Sequence, residues 1–184
     1  SYTPRLALAF KAMLAEVFFE DEVAVVTGQG AVSEAFSELP FDLMIFTGST
    51  RVGRTVMQAA SRNLTPVILE LGGKSPVVVH PSFPLEHLVE RLAFGKCWNA
   101  GQTCIAPDHL YLSRGRLDEF VQRFSAQVAQ MYPTMLNNAD YTAIINPKQL
   151  ARIRGYLDDA VAKGATLIEI TPAREDFSSS GKMP

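Results

Sequence analysis

Cys104 lies in the stretch Asn-Ala-Gly-Gln-Thr-Cys-Ile-Ala-Pro, residues 99–107, a small-residue turn between a helical pattern and a strand pattern. A thiol attacks an electrophile only as the thiolate, so a reactive cysteine needs access and a local positive potential such as free backbone amides. The small residues ahead of Cys104 let both solvent and backbone approach the sulfur. The alternative is a small packing residue, and Cys97, in the helix-patterned Phe-Gly-Lys-Cys-Trp-Asn, fits that description well. Glu70 closes the apolar run Val-Ile-Leu-Glu and is followed at once by Leu71-Gly72-Gly73. A carboxylate at the end of a buried strand is costly to desolvate and asks for a reason beyond packing. Two glycine turns complete the set. Thr-Gly-Gln-Gly (27–30), with Gly28, lacks the third glycine of a dinucleotide fingerprint. Phe-Thr-Gly-Ser-Thr-Arg-Val-Gly (46–53) places Gly48, Ser49 and Gly53 at a helix start, where free amides favour an anionic ligand such as a pyrophosphate; a capped strand-to-helix turn has the same residues.

The elements that must position these residues alternate. Leu6, Phe10, Met13 and Val17 repeat at helical spacing over residues 4–19, with Pro4 suited to a first turn. Residues 23–28 read as a strand, 31–39 as a helix, 42–48 as a strand and 51–62 as a helix. Residues 66–73 and 76–80 follow as buried-type strands. Such alternation predicts a parallel α/β sheet. Beyond Pro84 come a longer helix leading toward Cys104, a strand at 109–113 and an amphipathic helix carrying Leu117, Phe120, Phe124, Val128 and Met131. A loop leads to a helix over 148–163 and a strand over 165–170. The polar tail Glu-Asp-Phe-Ser-Ser-Ser-Gly-Lys-Met-Pro is predicted to fray. The glycine pair at 72–73 is the candidate seam between two domains.

Bulk properties narrow the function classes. With 47% hydrophobic and 20% charged residues over 184 positions, the composition is globular. A net charge of −2 gives no reason to expect nucleic acid or an anionic membrane as partner. No apolar run reaches the roughly 18 residues of a membrane span. Two cysteines seven positions apart suit neither a disulfide framework nor a zinc clip, so no metal is expected and the setting is a reducing cytoplasm. His80, His87 and His109 form no hydrolase pattern with Cys104, and a Gly-x-Ser-x-Gly elbow is missing.

Taken together, Phe-Thr-Gly-Ser-Thr-Arg-Val-Gly (46–53), Leu-Glu-Leu-Gly-Gly-Lys-Ser-Pro (69–76) and Gly-Gln-Thr-Cys-Ile-Ala-Pro (101–107) resemble the NAD(P)-dependent aldehyde dehydrogenases in motif, order and spacing, Cys104 falling 34 positions after Glu70. The text around them, with residues 140–165, is most similar to the class 3 and coniferyl aldehyde branch. The resemblance implies a partial aldehyde dehydrogenase fold: α/β, parallel sheets flanked by helices, and parts of two domains. Residues 1–70 would be the later half of the dinucleotide-binding domain and 71–184 the first part of the catalytic domain. Cys104 would be the nucleophile and Glu70 the general base. Gly48, Ser49 and Gly53 would face the cofactor pyrophosphate, with Leu71 on the nicotinamide side and Gly28 on the adenine side. The cofactor would be NAD or NADP, and the substrate a small aldehyde, aromatic and coniferyl-like by subfamily.

Departures from the family pattern are also expected to matter. Relatives have well over twice this length, and Ser1 falls where many of them have a ribose-binding glutamate. The adenine-ribose lysine, the oxyanion-hole asparagine and the glutamate that holds the nicotinamide ribose have no counterpart in the chain. The resemblance therefore implies an internal fragment, inactive in hydride transfer by itself, of a homodimeric parent. Two other functions remain open at this stage: a thiol acyltransferase or esterase that uses Cys104 without a redox cofactor, and a non-catalytic nucleotide-binding relic.

Overall fold

The computed structural model describes residues 2–184; Ser1, with the ribose-binding position it was matched to, lies outside the described residues. The chain divides into two compact units, the first ending at Gly72 and the second spanning Gly73–Pro184.

In the first unit the order is α1 (Pro4–Ala15), α2 (Gly30–Ser37), β1 (Met44–Gly48), α3 (Thr50–Ala60) and β2 (Val67–Leu71). β1 and β2 pair in parallel, joined by α3, with Met44 opposite Val67 and Gly48 opposite Leu71. α3 is the most strongly amphipathic of these helices, burying Gly53, Val56, Ala59 and Ala60. Val56 and Ala60 close on Met44, with Phe41, Phe46 and Val67 at the edge of the cluster. The buried Thr65 hydroxyl donates to the Phe41 carbonyl at 2.9 Å, which ties the approach to β2 to the approach to β1 and so supports the register.

β2 is not the fully buried strand its composition suggests. Val67, Leu69 and Leu71 turn inward, while Ile68 is 47% exposed and Glu70 lies on the same open face. The reason is coverage: α3 packs on one face of a two-stranded sheet, and Ile45 on the other face is 65% exposed. Glu70 thus escapes the desolvation that a doubly covered strand would impose. Residues 23–28 form no strand either. Their apolar run is suitable, yet a strand exists only with a neighbour to complete its ladder, and Val26 remains 58% exposed. α1 forms with Pro4 in its first turn but buries none of its residues.

The second unit contains β3 (Ser75–Val78), α4 (Leu85–Cys97), β4 (Pro107–Tyr111), α5 (Leu117–Met131) and α6 (Pro147–Ala162). β3 and β4 are parallel, with Val77 opposite Leu110, and the register shifts between Ser75 and Pro76. α4 buries Leu85, Leu88 and Leu92 against Val79, and its Ala93 joins Val128, Tyr132, Met135, Tyr141 and Phe177 in the larger core. Asn146 caps α6, its side chain accepting from the Gln149 N–H at 2.9 Å, and Pro147 occupies the first turn. Residues 165–170 form no strand, and Leu167 and Ile168 are exposed.

The tail does not fray. Phe177 is buried, the Tyr141 hydroxyl donates to the Met183 carbonyl at 2.8 Å, and the Ile144 N–H donates to the Gly181 carbonyl at 2.9 Å. One aromatic anchor and a few backbone bonds override a polar composition. Among the described residues no helix is long and apolar enough to cross a membrane.

Candidate functional site

In the first unit the parallel register gathers most of the sequence-predicted residues at the carboxyl end of the sheet. Gly48 ends β1 opposite Leu71, and Thr47 stands opposite Glu70. That end is where ligands of open α/β sheets bind. Ser49 caps α3: its Oγ accepts from the Val52 N–H at 3.3 Å, and its carbonyl accepts from the Gly53 N–H at 2.8 Å. A hydroxyl that accepts still has its own O–H to donate. The first-turn amides of α3 and its positive dipole end therefore face the same end as the Ser49 proton. Gly53 is buried, and a β-carbon there would lie 2.9 Å from Leu71 Cδ2, so its absence lets the helix settle onto the strand. A β-carbon on Gly48 would lie 2.6 Å from the Phe46 ring. Gly28 is held differently, in the unpaired stretch before α2, where a β-carbon would sit 2.5 Å from Val32.

In the second unit Cys104 is free and exposed. Its approach is strained. α4 stops at Cys97, and three consecutive residues then take the left-handed conformation: Asn99 at φ 52°, Ala100 at φ 52° and Gly101 at φ 71°. Glycine tolerates this and asparagine partly so, but for Ala100 it costs about 1–2 kcal/mol. Hydrogen bonds between Asn99 and Gln102 offset that cost. The Gln102 backbone N–H and Nε2 both donate to the Asn99 carbonyl, at 3.0 Å each, and Asn99 Nδ2 donates to the Gln102 carbonyl at 3.1 Å. At about 1 kcal/mol net each, these bonds are of the size needed. A further turn, closed by the Ala106 N–H on the Thr103 carbonyl at 3.2 Å, contains Cys104 and leads into β4. Gly73 comes close to the same loop: a β-carbon on it would be 3.4 Å from the Cys104 carbonyl.

At the head of β4, Lys74 Nζ donates to Asp108 Oδ1 at 2.7 Å, and this bond lowers the Asp108 pKa against the opposing effect of burial, with the His109 contact helping. Cys97 is the contrasting thiol. It is half-buried against the larger core, and burial raises its pKa, with Lys96 pulling weakly the other way. Two clefts of the second unit, about 480 Å³ and 160 Å³, are lined by residues of α4, α5, β3 and β4, and Cys104 lines neither. His80 contacts Ser82, His109 contacts Asp108, and His87 is exposed, so each histidine has a surface role. Gln102 is the residue that sequence reasoning quoted without assigning a task. The Asn-Ala-Gly run before it was the available signal, since asparagine and glycine favour left-handed backbone.

These features define an α/β protein built of parallel strand–helix–strand units, one with an open helix N-terminus and the other with an exposed thiol ahead of its second strand. Residues 1–178 match the aldehyde dehydrogenase family, and the chain belongs to that family. It is 54% identical over 168 residues to a probable coniferyl aldehyde dehydrogenase of Pseudomonas aeruginosa, covering 91% of this chain and 35% of the relative. It is 46% identical over 179 residues to the coniferyl aldehyde dehydrogenase of Pseudomonas sp. strain HR199, covering 97% and 37%. Among solved structures, the substrate-bound state of Staphylococcus aureus AldH superposes with a TM-score of 0.79 at 37% identity, over 88% of this chain and 35% of that one. The chain thus spans about a third of the length of the curated relatives it matches.

Proposed function

We propose that this chain forms part of an enzyme that oxidises an aldehyde to a carboxylic acid with NAD or NADP, its coniferyl-type relatives pointing to an aromatic aldehyde. The observation that carries this reading is the contrast between the two thiols in a member of this family. Cys97 packs into the core, whereas Cys104 is exposed on a turn that follows three residues of left-handed backbone.

Cys104 Sγ would add to the aldehyde carbon, forming a C–S bond and an oxyanion that the Cys104 backbone N–H helps to stabilise. NAD(P)+, when bound, supplies the acceptor for the hydride that leaves this carbon, so that the adduct on Cys104 becomes a thioester. Glu70 would take a proton from water as the water oxygen attacks the thioester; the C–S bond breaks, the acid leaves and Cys104 returns as thiolate. Gly48, Ser49 and Gly53 would hold the pyrophosphate, Leu71 the nicotinamide amide through its carbonyl, and Gly28 the adenine side. The capped α3 N-terminus, with the Ser49 O–H still to donate, fits a pyrophosphate. A reducing cytoplasm suits two free thiols, and a homodimeric parent is part of the same proposal.

The test is NAD(P)H formation from coniferyl aldehyde by a polypeptide carrying this chain at the full length of the relatives; the chain alone is expected to turn over little. Cys104→Ala should lower turnover at least about a thousandfold, since it removes the nucleophile. Glu70→Gln should keep a first burst of NAD(P)H and slow steady turnover by about a hundredfold or more. Undiminished oxidation by Cys104→Ala overturns the mechanism, and thioester turnover indifferent to NAD(P) points instead to an acyltransferase.

A further inference from the structure

Gln102 makes two sets of contacts, and the second set reaches across the second unit. Its Nε2 donates to the Ala143 carbonyl at 3.1 Å, and its Oε1 accepts from the Ile145 N–H at 2.9 Å. The side-chain amide therefore pairs with both backbone groups that residues 143 and 145 present on one side, as a neighbouring strand would. Ile144, between them, points its N–H the other way, onto the Gly181 carbonyl of the tail at 2.9 Å. Residues 143–145 are thus held on one side by Gln102 and on the other by the tail, while the same Nε2 also closes the left-handed turn onto Asn99.

From this geometry we infer that Gln102 is a positioning residue for Cys104. It locks the turn that presents the thiol to residues 143–145, and through them to the chain's last residues. Only a neutral amide fits the arrangement, because two carbonyls need a donor and one N–H needs an acceptor. That Cys104 is the reacting nucleophile belongs to the function proposed above; the lock itself stands on this chain's own bonds.

The lock is tested on the chain as it is, with a nitroxide on Cys104 in a Cys97→Ser background and hydrogen exchange followed at the Ile145 amide. Gln102→Ala should speed Ile145 exchange about fivefold or more, the loss of one net hydrogen bond, and mobilise the label. Gln102→Glu separates locking from mere packing. At neutral pH its carboxylate faces two carbonyls and the label should be mobile. Below about pH 4 the protonated carboxyl offers one O–H for one of the two carbonyls and a carbonyl oxygen for the Ile145 N–H, and the label should regain part of the order of the Gln102 protein measured at the same pH. A label equally ordered in all variants, or one that gains no order in Gln102→Glu between neutral pH and about pH 4 while the Gln102 protein stays ordered, overturns the inference. Neither result bears on the hydride-transfer assay, where Cys104→Ala decides the function separately.

Discussion

Tyr141 shows how far a single side chain in this molecule departs from its behaviour in water. Burial pushes its phenol up to about 12 from an ordinary value near 10, with nearby Cys97 and Tyr132 adding to the effect, and its O–H donates to the Met183 carbonyl. The consequence for stability has a definite sign. Below pH 10 the phenol is protonated in folded and unfolded chains alike, and its contribution is constant. Between about 10 and 12 the unfolded chain releases the proton while the folded chain keeps it, so stability falls as pH rises. The full loss is on the order of 2–3 kcal/mol for a shift of this size. Urea unfolding across that range should show a steeper decline for the Tyr141 protein than for Tyr141→Phe, which cannot titrate there. At neutral pH the variant should be weaker by about 1 kcal/mol through loss of the Met183 bond. Parallel pH profiles for the two proteins would show that the tyrosine does not carry the effect. The phenol's isolation was not legible in the sequence, because Phe177, which shares its cluster, lies 36 positions along the chain.

At the scale of elements, what the sequence disclosed was local and what it concealed was pairing. Helix α3 was readable from the repeat of Val52, Val56 and Ala59, and the strands on either side from short apolar runs ending in glycine or Glu70. Residues 23–28 and 165–170 look equally strand-like, but nothing local says whether a neighbouring strand will complete the ladder. The Cys104 loop was legible as a small-residue turn; Gln102's partners, 41 and 43 positions away, were not. Ser49 tests the site at this scale, because it caps α3 and is also the proposed phosphate contact. Ser49→Ala should weaken the first unit by about 1 kcal/mol, the ordinary cost of a lost cap. Ser49→Asp caps a helix as well as serine does, so stability should be kept, while its charge opposes a bound pyrophosphate. In a polypeptide of the relatives' full length, KM for NAD(P) should therefore rise about tenfold or more in Ser49→Asp, with thermal stability unchanged. An unaltered KM would remove Ser49 from the cofactor site and leave it as a cap alone.

At the scale of the whole chain, the last ten residues decide how well the second unit holds together. Glu175 accepts the N–H groups of Met135 and Leu136 at 2.7 Å and 2.9 Å, and Lys182 Nζ donates to the carbonyls of Met135, Leu136 and Asn138 at 2.8 Å, 3.0 Å and 2.7 Å. Apart from the Met135 carbonyl, which also accepts from the Asn138 N–H at 3.4 Å, the chain just beyond α5 offers these backbone groups no other hydrogen bond, and Met135 is only 1% exposed, so water would replace the bonds poorly. Lys182→Met keeps the length and apolar stem of the side chain and removes all three donors. It should cost about 1–3 kcal/mol, which for a chain of this size lowers the melting temperature by roughly 2–10 °C. Glu175→Gln should cost less, since its carbonyl still accepts one of the two N–H groups. The same strap holds Ile144 through Gly181, so Lys182→Met should also raise the mobility of a label on Cys104. A variant that melts at the same temperature would reduce the strap to surface decoration. One that melts lower while the label stays ordered would place the tail's contribution in the core around Phe177 and leave Gln102 to hold the thiol turn without it.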